Sequence, residues 1–210
     1  MSYTNRASRG GGSFYLKRLM SISGMLPVGA FLLQHFFSNS YVFISPEAYN
    51  EHTHFLTSLP MVVAIELAFI YFPILLHAVL GLAIIYRGES SVSHYGTFRN
   101  WMYFFQRLSG FVALVFISVH SYSTRIKTFL AGQEMTFDLM SEVLKQPLWF
   151  WFYFAGIVAA AFHFANGLWS FLVTWGVTTG PRAQRASAAL TMFLFVVIGF
   201  WGVAILFKFV

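Results

Sequence analysis

Four histidines stand inside the long apolar stretches of this chain. They are His35, His77, His120 and His163, one in each of four different stretches. An imidazole at membrane depth costs free energy unless it has a partner, so each is a candidate functional residue. A hydrogen-bonded structural histidine is the alternative for any one of them. The repetition in four separate stretches favours a shared chemical role.

The composition indicates an integral membrane protein with little mass outside the bilayer. Of the 210 residues, 58% are hydrophobic and 10% are charged, whereas a soluble domain carries about 25% charged residues. The chain has no cysteine, so it cannot by itself hold a disulfide or an iron–sulfur cluster. The net charge of +6 does not indicate nucleic-acid binding, because the basic residues lie at the ends of apolar segments.

Hydropathy predicts an all-α fold, a single domain over residues 1–210 built as a bundle of five transmembrane helices. The predicted helices cover about 19–37, 59–86, 101–122, 149–175 and 188–209. Pro27 is expected to bend the first helix locally. Residues 45–54 are predicted to form a polar loop that contains a helix-start signal, Ser45-Pro46, and residues 136–145 a short amphipathic surface helix. No internal sequence repeat is evident.

The basic residues predict the orientation in the membrane. On the side of the N-terminus lie nine: Arg6, Arg9, Lys17, Arg18, Arg87, Arg99, Arg107, Arg182 and Arg185. On the other side lie four: Arg125, Lys127, Lys145 and Lys208. Because basic residues accumulate on the cytoplasmic side, we expect a multi-pass protein of the cell inner (cytoplasmic) membrane with a cytoplasmic N-terminus.

The helix rise of about 1.5 Å per residue sorts the four histidines into two depths. His35 and His120 fall in the outer half of the membrane, and His77 and His163 fall in the inner half. Two imidazoles at one depth on different helices are what the iron of a b-type haem needs as axial ligands. The spacing therefore predicts two stacked haems enclosed by the bundle, which together form an electron path across the membrane.

Small residues lie on the same helix faces as these histidines. They are Gly24, Ser109 with Gly110, Gly156 and Gly167. Such residues either leave room for a flat ring or let two helices approach closely, and the sequence leaves both open. Four basic residues are candidates to pair with the propionates of the inner haem, with a role in membrane topology as the alternative: Lys17, Arg18, Arg99 and Arg107.

The remaining histidines, His52, His54 and His94, lie in predicted loops and are interpreted as solvated. A zinc site on His52 and His54 would need further ligands at a suitable spacing, and none is evident.

Four stretches of the chain resemble the five-helix, di-haem cytochrome b subunits of bacterial succinate dehydrogenases, the cytochrome b558 family of menaquinone-reducing enzymes. The matching motifs are FYLKRLMSISGMLPVGAFLLQH, LPMVVAIELAFIYFPILLHAVLG, RNWMYFFQRLSGFVALVFISVH and FHFANGLWSFLVTWGVTTGPRAQR. The resemblance implies a membrane anchor of complex II, whose partners are a flavoprotein subunit that oxidises succinate and an iron–sulfur subunit. It implies two haem b cofactors, the inner one receiving electrons first, and menaquinone or another quinone as the acceptor. No site for succinate is expected in this chain.

Two other functions are compatible with the histidines alone. One is the cytochrome b of a fumarate reductase, or of another quinone-linked enzyme such as a membrane hydrogenase or formate dehydrogenase. The other is a transporter that uses the histidines as a proton or metal relay. A relay favours a graded chain of polar groups, and the separation into two depths argues against it.

Glu66 is the only acid within a predicted span. It lies eleven residues before His77, on the same helix face and about 16 Å further toward the outer side, at the level of the outer haem. An ionised carboxylate at that depth is costly unless it finds a partner. Quinone reduction consumes two protons, so we expect Glu66 to transfer protons at a quinone site; a structural, hydrogen-bonded acid is the alternative.

The predicted orientation can be measured by cysteine labelling, because the chain has no cysteine of its own. Ser93→Cys should react only from the cytoplasmic side and Ser141→Cys only from the outer side, as the basic residues require. An impermeant thiol reagent applied to intact cells would measure both. Labelling of Ser93→Cys from outside would contradict the orientation.

Overall fold

The computed structural model describes the backbone of residues 4–87 and 95–210 and the side chains of residues 14–86 and 95–210. These parts of the chain are helical. The helices are α1 (Thr4–Ser23), α2 (Gly29–Asn39), α3 (Pro46–Thr57), α4 (Val62–Glu66), α5 (Phe72–Arg87), α6 (Phe98–Ser121), α7 (Lys127–Leu130), α8 (Phe137–Leu144), α9 (Pro147–Thr174) and α10 (Pro181–Phe207). Ser93 and His94 lie outside the described residues. Ser141, the outer labelling position, is buried on α8, so the neighbouring exposed residue Glu142 is the position to label from that side.

Short π-helical turns join several of these helices into longer ones. They cover Gly24–Val28, Leu67–Tyr71 and Tyr122–Ile126. The result is five helices long and apolar enough to cross a membrane, here called spans one to five: Phe14–Phe43, Val62–Tyr86, Phe98–Leu130, Pro147–Thr174 and Pro181–Phe207. The prediction of an all-α bundle of five membrane helices is confirmed. Pro27 lies inside the first π turn, where its missing N–H is accommodated.

Several helices are longer than predicted, such as α10, which begins at Pro181 and not at residue 188. Two further departures affect candidate residues. Span three continues through a π turn to Leu130, so Arg125 lies on the helix and not in a connection. Residues 46–57 form α3, where a loop was predicted. The Ser45 side chain accepts a hydrogen bond from the Ala48 N–H, and this N-cap starts the helix despite its polar composition. His52 and His54 consequently lie on a helix.

The spans pack as two helical hairpins and a fifth helix. Spans one and two pack against each other, as do spans three and four, and span five packs on span four. The best-buried part of the core lies toward the end of the bundle opposite the N-terminus, where Phe36, Phe116, Tyr153, Ile198 and Leu206 meet. Span two contributes little to this core, since only 6% of its apolar window is buried.

Large apolar side chains cover the outside of the bundle. Leu75 is 63% exposed, Phe193 66% and Phe200 74%. In a soluble protein such a surface would aggregate or bind a partner, whereas lipid tails solvate it. Helices satisfy their own backbone hydrogen bonds, so a bundle with this surface is stable in a bilayer.

The end opposite the N-terminus is closed by α3 and α8, the short helix predicted at residues 136–145. Asn50 accepts a hydrogen bond from the Phe137 backbone N–H at 2.8 Å. Glu134 accepts from the Thr57 hydroxyl at 2.7 Å and lies 3.0 Å from His54 Nδ1. The bonds from Thr57 and His54 hold the pKa of Glu134 below its usual range. The two long connections at this end, one predicted as a loop and one as a surface helix, are thus joined to each other.

The two hairpins also repeat each other, although the sequence analysis found no repeat. His77 lies 57 positions after Met20, whose carbonyl it contacts, and His163 lies 57 positions after Gln106 in the same relation. Each histidine begins the pattern His-x-x-x-Gly-Leu. Each hairpin starts at the N-terminal end of the bundle, so the two are parallel repeats, a relation known from other membrane folds.

Candidate functional site

The structure brings the four histidines together in the two pairs expected from their depths. His77 on α5 faces His163 on α9, with ring centroids 6.1 Å apart and an interplanar angle of 76°. His35 on α2 faces His120 on α6 at 5.6 Å and 78°. Each pair therefore joins one helix from each hairpin.

Backbone carbonyls orient the His77–His163 pair. His77 Nδ1 lies 2.9 Å from the Met20 carbonyl oxygen, and His163 Nδ1 lies 3.1 Å from the Gln106 carbonyl oxygen. A carbonyl oxygen can only accept, so each Nδ1 carries its proton and donates it. Each Nε2 is then left with a free lone pair, which is the form of imidazole that binds a metal ion.

A serine and a glycine on the opposite helix make the remaining contacts with each of these two imidazoles. Ser23 Oγ donates to the Met20 carbonyl at 2.9 Å and lies 3.3 Å from His77 Nδ1. Gly24 follows it, and a Cβ at this position would overlap His77 Cε1. The same arrangement of Ser109 and Gly110 surrounds His163.

The structure shows what several of the small residues make room for. Gly24 and Gly110 make room for the imidazole of the neighbouring helix at the level of the inner pair. Gly156 makes room for Phe116, whose ring stacks on His120 at a centroid distance of 5.5 Å. These small residues therefore position the histidine pairs as well as letting the helices approach.

The His35–His120 pair has side-chain partners instead. His120 Nδ1 lies 3.3 Å from the Tyr153 hydroxyl, and His35 Nε2 lies 3.3 Å from Asn39 Nδ2. Asn39 also donates to the His35 carbonyl at 2.8 Å, which anchors the amide one turn further along the helix. The two pairs therefore differ in the polar groups that surround them.

Glu66 has a partner that the sequence analysis missed. Arg125 Nε lies 2.9 Å from one carboxylate oxygen of Glu66 and 3.0 Å from the other, and a second guanidinium nitrogen donates at 2.9 Å. The two side chains are 21% and 23% exposed. The pair joins spans two and three, and the Ser121 hydroxyl donates to Tyr71 at 3.0 Å across the same two spans. Arg125 was assigned to a connection because the third span was predicted to end at Tyr122.

The ring spacing of both histidine pairs fits a metal held between two imidazoles, and at His35 the Asn39 amide that lies 3.3 Å from Nε2 would have to give way to the metal. Metal–nitrogen bonds of about 2 Å on each side place the two ring centroids about 6 Å apart. The observed distances of 6.1 and 5.6 Å agree with this value. In the described part of the chain no group of three or more His, Cys, Asp or Glu is arranged to hold a metal ion. A bis-histidine haem requires only two such ligands.

Comparison with known proteins decides the family. Residues 89–203 match the model of the succinate dehydrogenase/fumarate reductase transmembrane subunit. The chain is also 41% identical to the succinate dehydrogenase cytochrome b558 subunit of Bacillus subtilis (strain 168), over 96% of this chain and 99% of that protein. This chain belongs to that family.

Family membership confirms the central predictions from the sequence. The chain is a membrane-anchor cytochrome b of complex II, and so forms part of an oxidoreductase. A cytochrome b subunit binds haem b.

The glycine contacts generate a prediction. Gly24→Ala and Gly110→Ala should each displace the adjacent imidazole, because the added Cβ overlaps it. The haem b content of the purified protein, measured by the pyridine haemochrome assay, should fall, because the displaced imidazole no longer faces its partner.

Gly81→Ala is the matched control, because a Cβ at Gly81 meets nothing within 4 Å although the residue follows His77 on the same helix. Full haem content in Gly24→Ala and Gly110→Ala would show that haem binding does not depend on the positions of these imidazoles, and would contradict a role of the His77–His163 pair as haem ligands.

Proposed function

We propose that this subunit holds two haem b groups, one between His77 and His163 and one between His35 and His120, and conducts electrons from the iron–sulfur subunit of complex II to a membrane quinone. The observation that carries the proposal is the pair of imidazole–imidazole contacts, each at the spacing of two ligands of one metal. Haem, when bound, supplies the one-electron redox chemistry of this path.

The protein's own groups prepare the ligands. The carbonyls of Met20 and Gln106 hold the Nδ1 protons of His77 and His163, which fixes the tautomer and the direction of each ring. Tyr153 performs this role beside His120. The surrounding apolar side chains exclude water, which keeps the site at a low dielectric constant and limits the reorganisation that electron transfer requires.

The N-terminal end of the bundle is the proposed entry point for electrons. We assign it to the cytoplasmic side, where the iron–sulfur subunit docks on the basic connections and the flavoprotein subunit oxidises succinate outside this chain. Arg107 lies at this end of the bundle, and its Nε is buried without a hydrogen-bond partner. Its guanidinium packs on the Tyr103 ring at 4.3 Å and donates to the Tyr103 hydroxyl at 2.7 Å, which leaves the Nε–H to pair with a haem propionate.

The haem assignment predicts which variants lose the same haem. His35→Ala and His120→Ala should remove one component of the redox titration, and His77→Ala and His163→Ala should remove the other, because each haem needs both ligands of its pair. The titration is followed by the absorbance of the reduced b-type haems in purified complex. Loss of the same component in His35→Ala and His77→Ala would refute the pairing, and a colourless wild-type protein would refute the function.

Glu66 is proposed to belong to a quinone site beside the His35–His120 pair, with menaquinone or another quinone as the substrate. Quinone reduction takes up two protons with two electrons, and a carboxyl group that is protonated from the outer phase can deliver them in turn at that position. Arg125 holds the Glu66 carboxylate between spans two and three, and both side chains keep part of their surface exposed at that end. The alternative is that the ion pair only joins the two spans.

Glu66→Gln should keep both haems and succinate oxidation with an artificial acceptor, but lose most quinone reduction, by about tenfold or more. Because Glu66→Gln leaves the Arg125 charge without its partner, Arg125→Gln and the double variant are the controls.

A proton donor is missing from both variants that lack Glu66, so the double variant should remain slow while Arg125→Gln retains more activity. Recovery of quinone reduction in the double variant would show that Glu66 acts only through the ion pair.

A further inference from the structure

His77 and His163 donate hydrogen bonds to equivalent backbone carbonyls, but the residues around these two carbonyls differ. In the first hairpin, Met20 supplies the carbonyl, and an apolar residue, Leu80, follows the histidine by three positions. In the second hairpin the corresponding residues are Gln106 and Asn166, both of which are polar. A polar pair at membrane depth, where the other repeat is apolar, has to be explained by what it contacts.

Gln106 and His163 hold each other reciprocally. The imidazole Nδ1–H of His163 donates to the backbone carbonyl of Gln106 at 3.1 Å, and the side-chain Nε2–H of Gln106 donates to the backbone carbonyl of His163 at 3.0 Å. Two bonds between the same two residues on different helices fix both the ring and the backbone that carries it. His77 has only the first kind of bond, because Met20 has no side-chain donor.

Asn166 fixes the Gln106 amide in turn. Its Nδ2 donates to Gln106 Oε1 at 2.7 Å and to the Met102 carbonyl at 3.0 Å. Asn166 is only 2% exposed, and its Oδ1 is buried without a hydrogen-bond partner. An amide whose oxygen is left unpaired in the core is retained at a cost in stability, so its two N–H bonds are expected to serve a purpose.

We propose that Gln106 and Asn166 are positioning residues for the axial ligand His163, and that they fix the angle of its imidazole plane at the haem of the His77–His163 pair. The inference rests on the proposed function, since it concerns the haem assigned there. The angle between two axial imidazole planes sets the g-anisotropy of a low-spin ferric haem, and hydrogen bonding to the ligand tunes its potential. Both quantities can be measured separately for each haem.

The repeat itself supplies the test variants. Gln106→Met introduces the residue found at the equivalent position of the first hairpin. It keeps the backbone carbonyl that accepts from His163 Nδ1 but removes the side-chain hydrogen bond to the His163 carbonyl. Gln106→Met/Asn166→Leu copies the Met20 and Leu80 environment completely and leaves no amide unpaired. Gln34→Met is the matched control, because Gln34 bonds only Ser38 on its own helix, at 2.7 Å.

Electron paramagnetic resonance spectra and redox titrations of the whole complex, purified with its partner subunits, decide the proposal. In the single and double Gln106 variants the low-spin signal and midpoint potential of one haem should shift, and that haem should be the one removed by His163→Ala. The other haem and the Gln34→Met control should match the wild type. Selective loss of the same haem in both Gln106 variants would also support positioning.

Two results would overturn it. If both Gln106 variants keep the wild-type spectra and potentials, the amides only join α6 to α9. If both variants lose both haems, the amides serve the stability of the bundle as a whole. Failure of the proposed function would be seen separately, since His77→Ala and His163→Ala would then leave the wild-type haem signals in place.

Discussion

The hydrogen bond from an imidazole Nδ1 to a helix carbonyl is the interaction on which the inner part of this structure depends. A histidine inside a membrane must place its N–H proton on an acceptor, and the helical backbone is the acceptor that is always present. Carbonyls within a helix already accept one hydrogen bond, but each has a second lone pair. Met20 and Gln106 use it to bind the imidazole of the opposite helix in their hairpin.

Access to that lone pair is controlled by the residue four positions later. In a helix the Cα–Cβ bond tilts toward the N-terminus, so a side chain covers the turn that precedes it. Because residues 24 and 110 are glycines, no side chain covers the carbonyls of residues 20 and 106. The serine before each glycine donates its hydroxyl to the same carbonyl. The pattern x-x-x-Ser-Gly therefore forms a binding site for a histidine of the opposite helix. Both hairpins contain this pattern, which accounts for their matching geometry.

The two ends of the bundle differ in the polar groups that surround their histidine pairs. The inner pair is oriented mainly by backbone carbonyls, in apolar surroundings apart from the Gln106–Asn166 amides. The pair at the opposite end contacts a phenol and an amide, and the Glu66–Arg125 ion pair joins spans two and three at that end of the bundle. Glu66 and Arg125 neutralise each other there, which lowers the cost of placing ionisable groups in a membrane. The short helices α3 and α8 close this end. Thr57 and His54 of α3 both bond there to Glu134, and all three side chains are exposed or partly exposed.

The sequence alone determined the class of protein, the number of spans and the two depths at which histidines meet. Hydropathy and the fixed rise of a helix act along one segment at a time, so they locate His35, His77, His120 and His163 without knowledge of their neighbours. Which groups lie beside them was decided by tertiary structure. The Met20 and Gln106 carbonyls, the Arg125 partner of Glu66 and the Gln106–Asn166 amides all come from other helices, and helical periodicity gives no information on the rotation of one helix against another. Arg125 was missed for a local reason too, because a π turn carries span three beyond the point where its apolar pattern ends. The repeat is not evident in the sequence because only the few positions that hold a histidine are the same in both hairpins. Contact with lipid leaves the other positions free to differ.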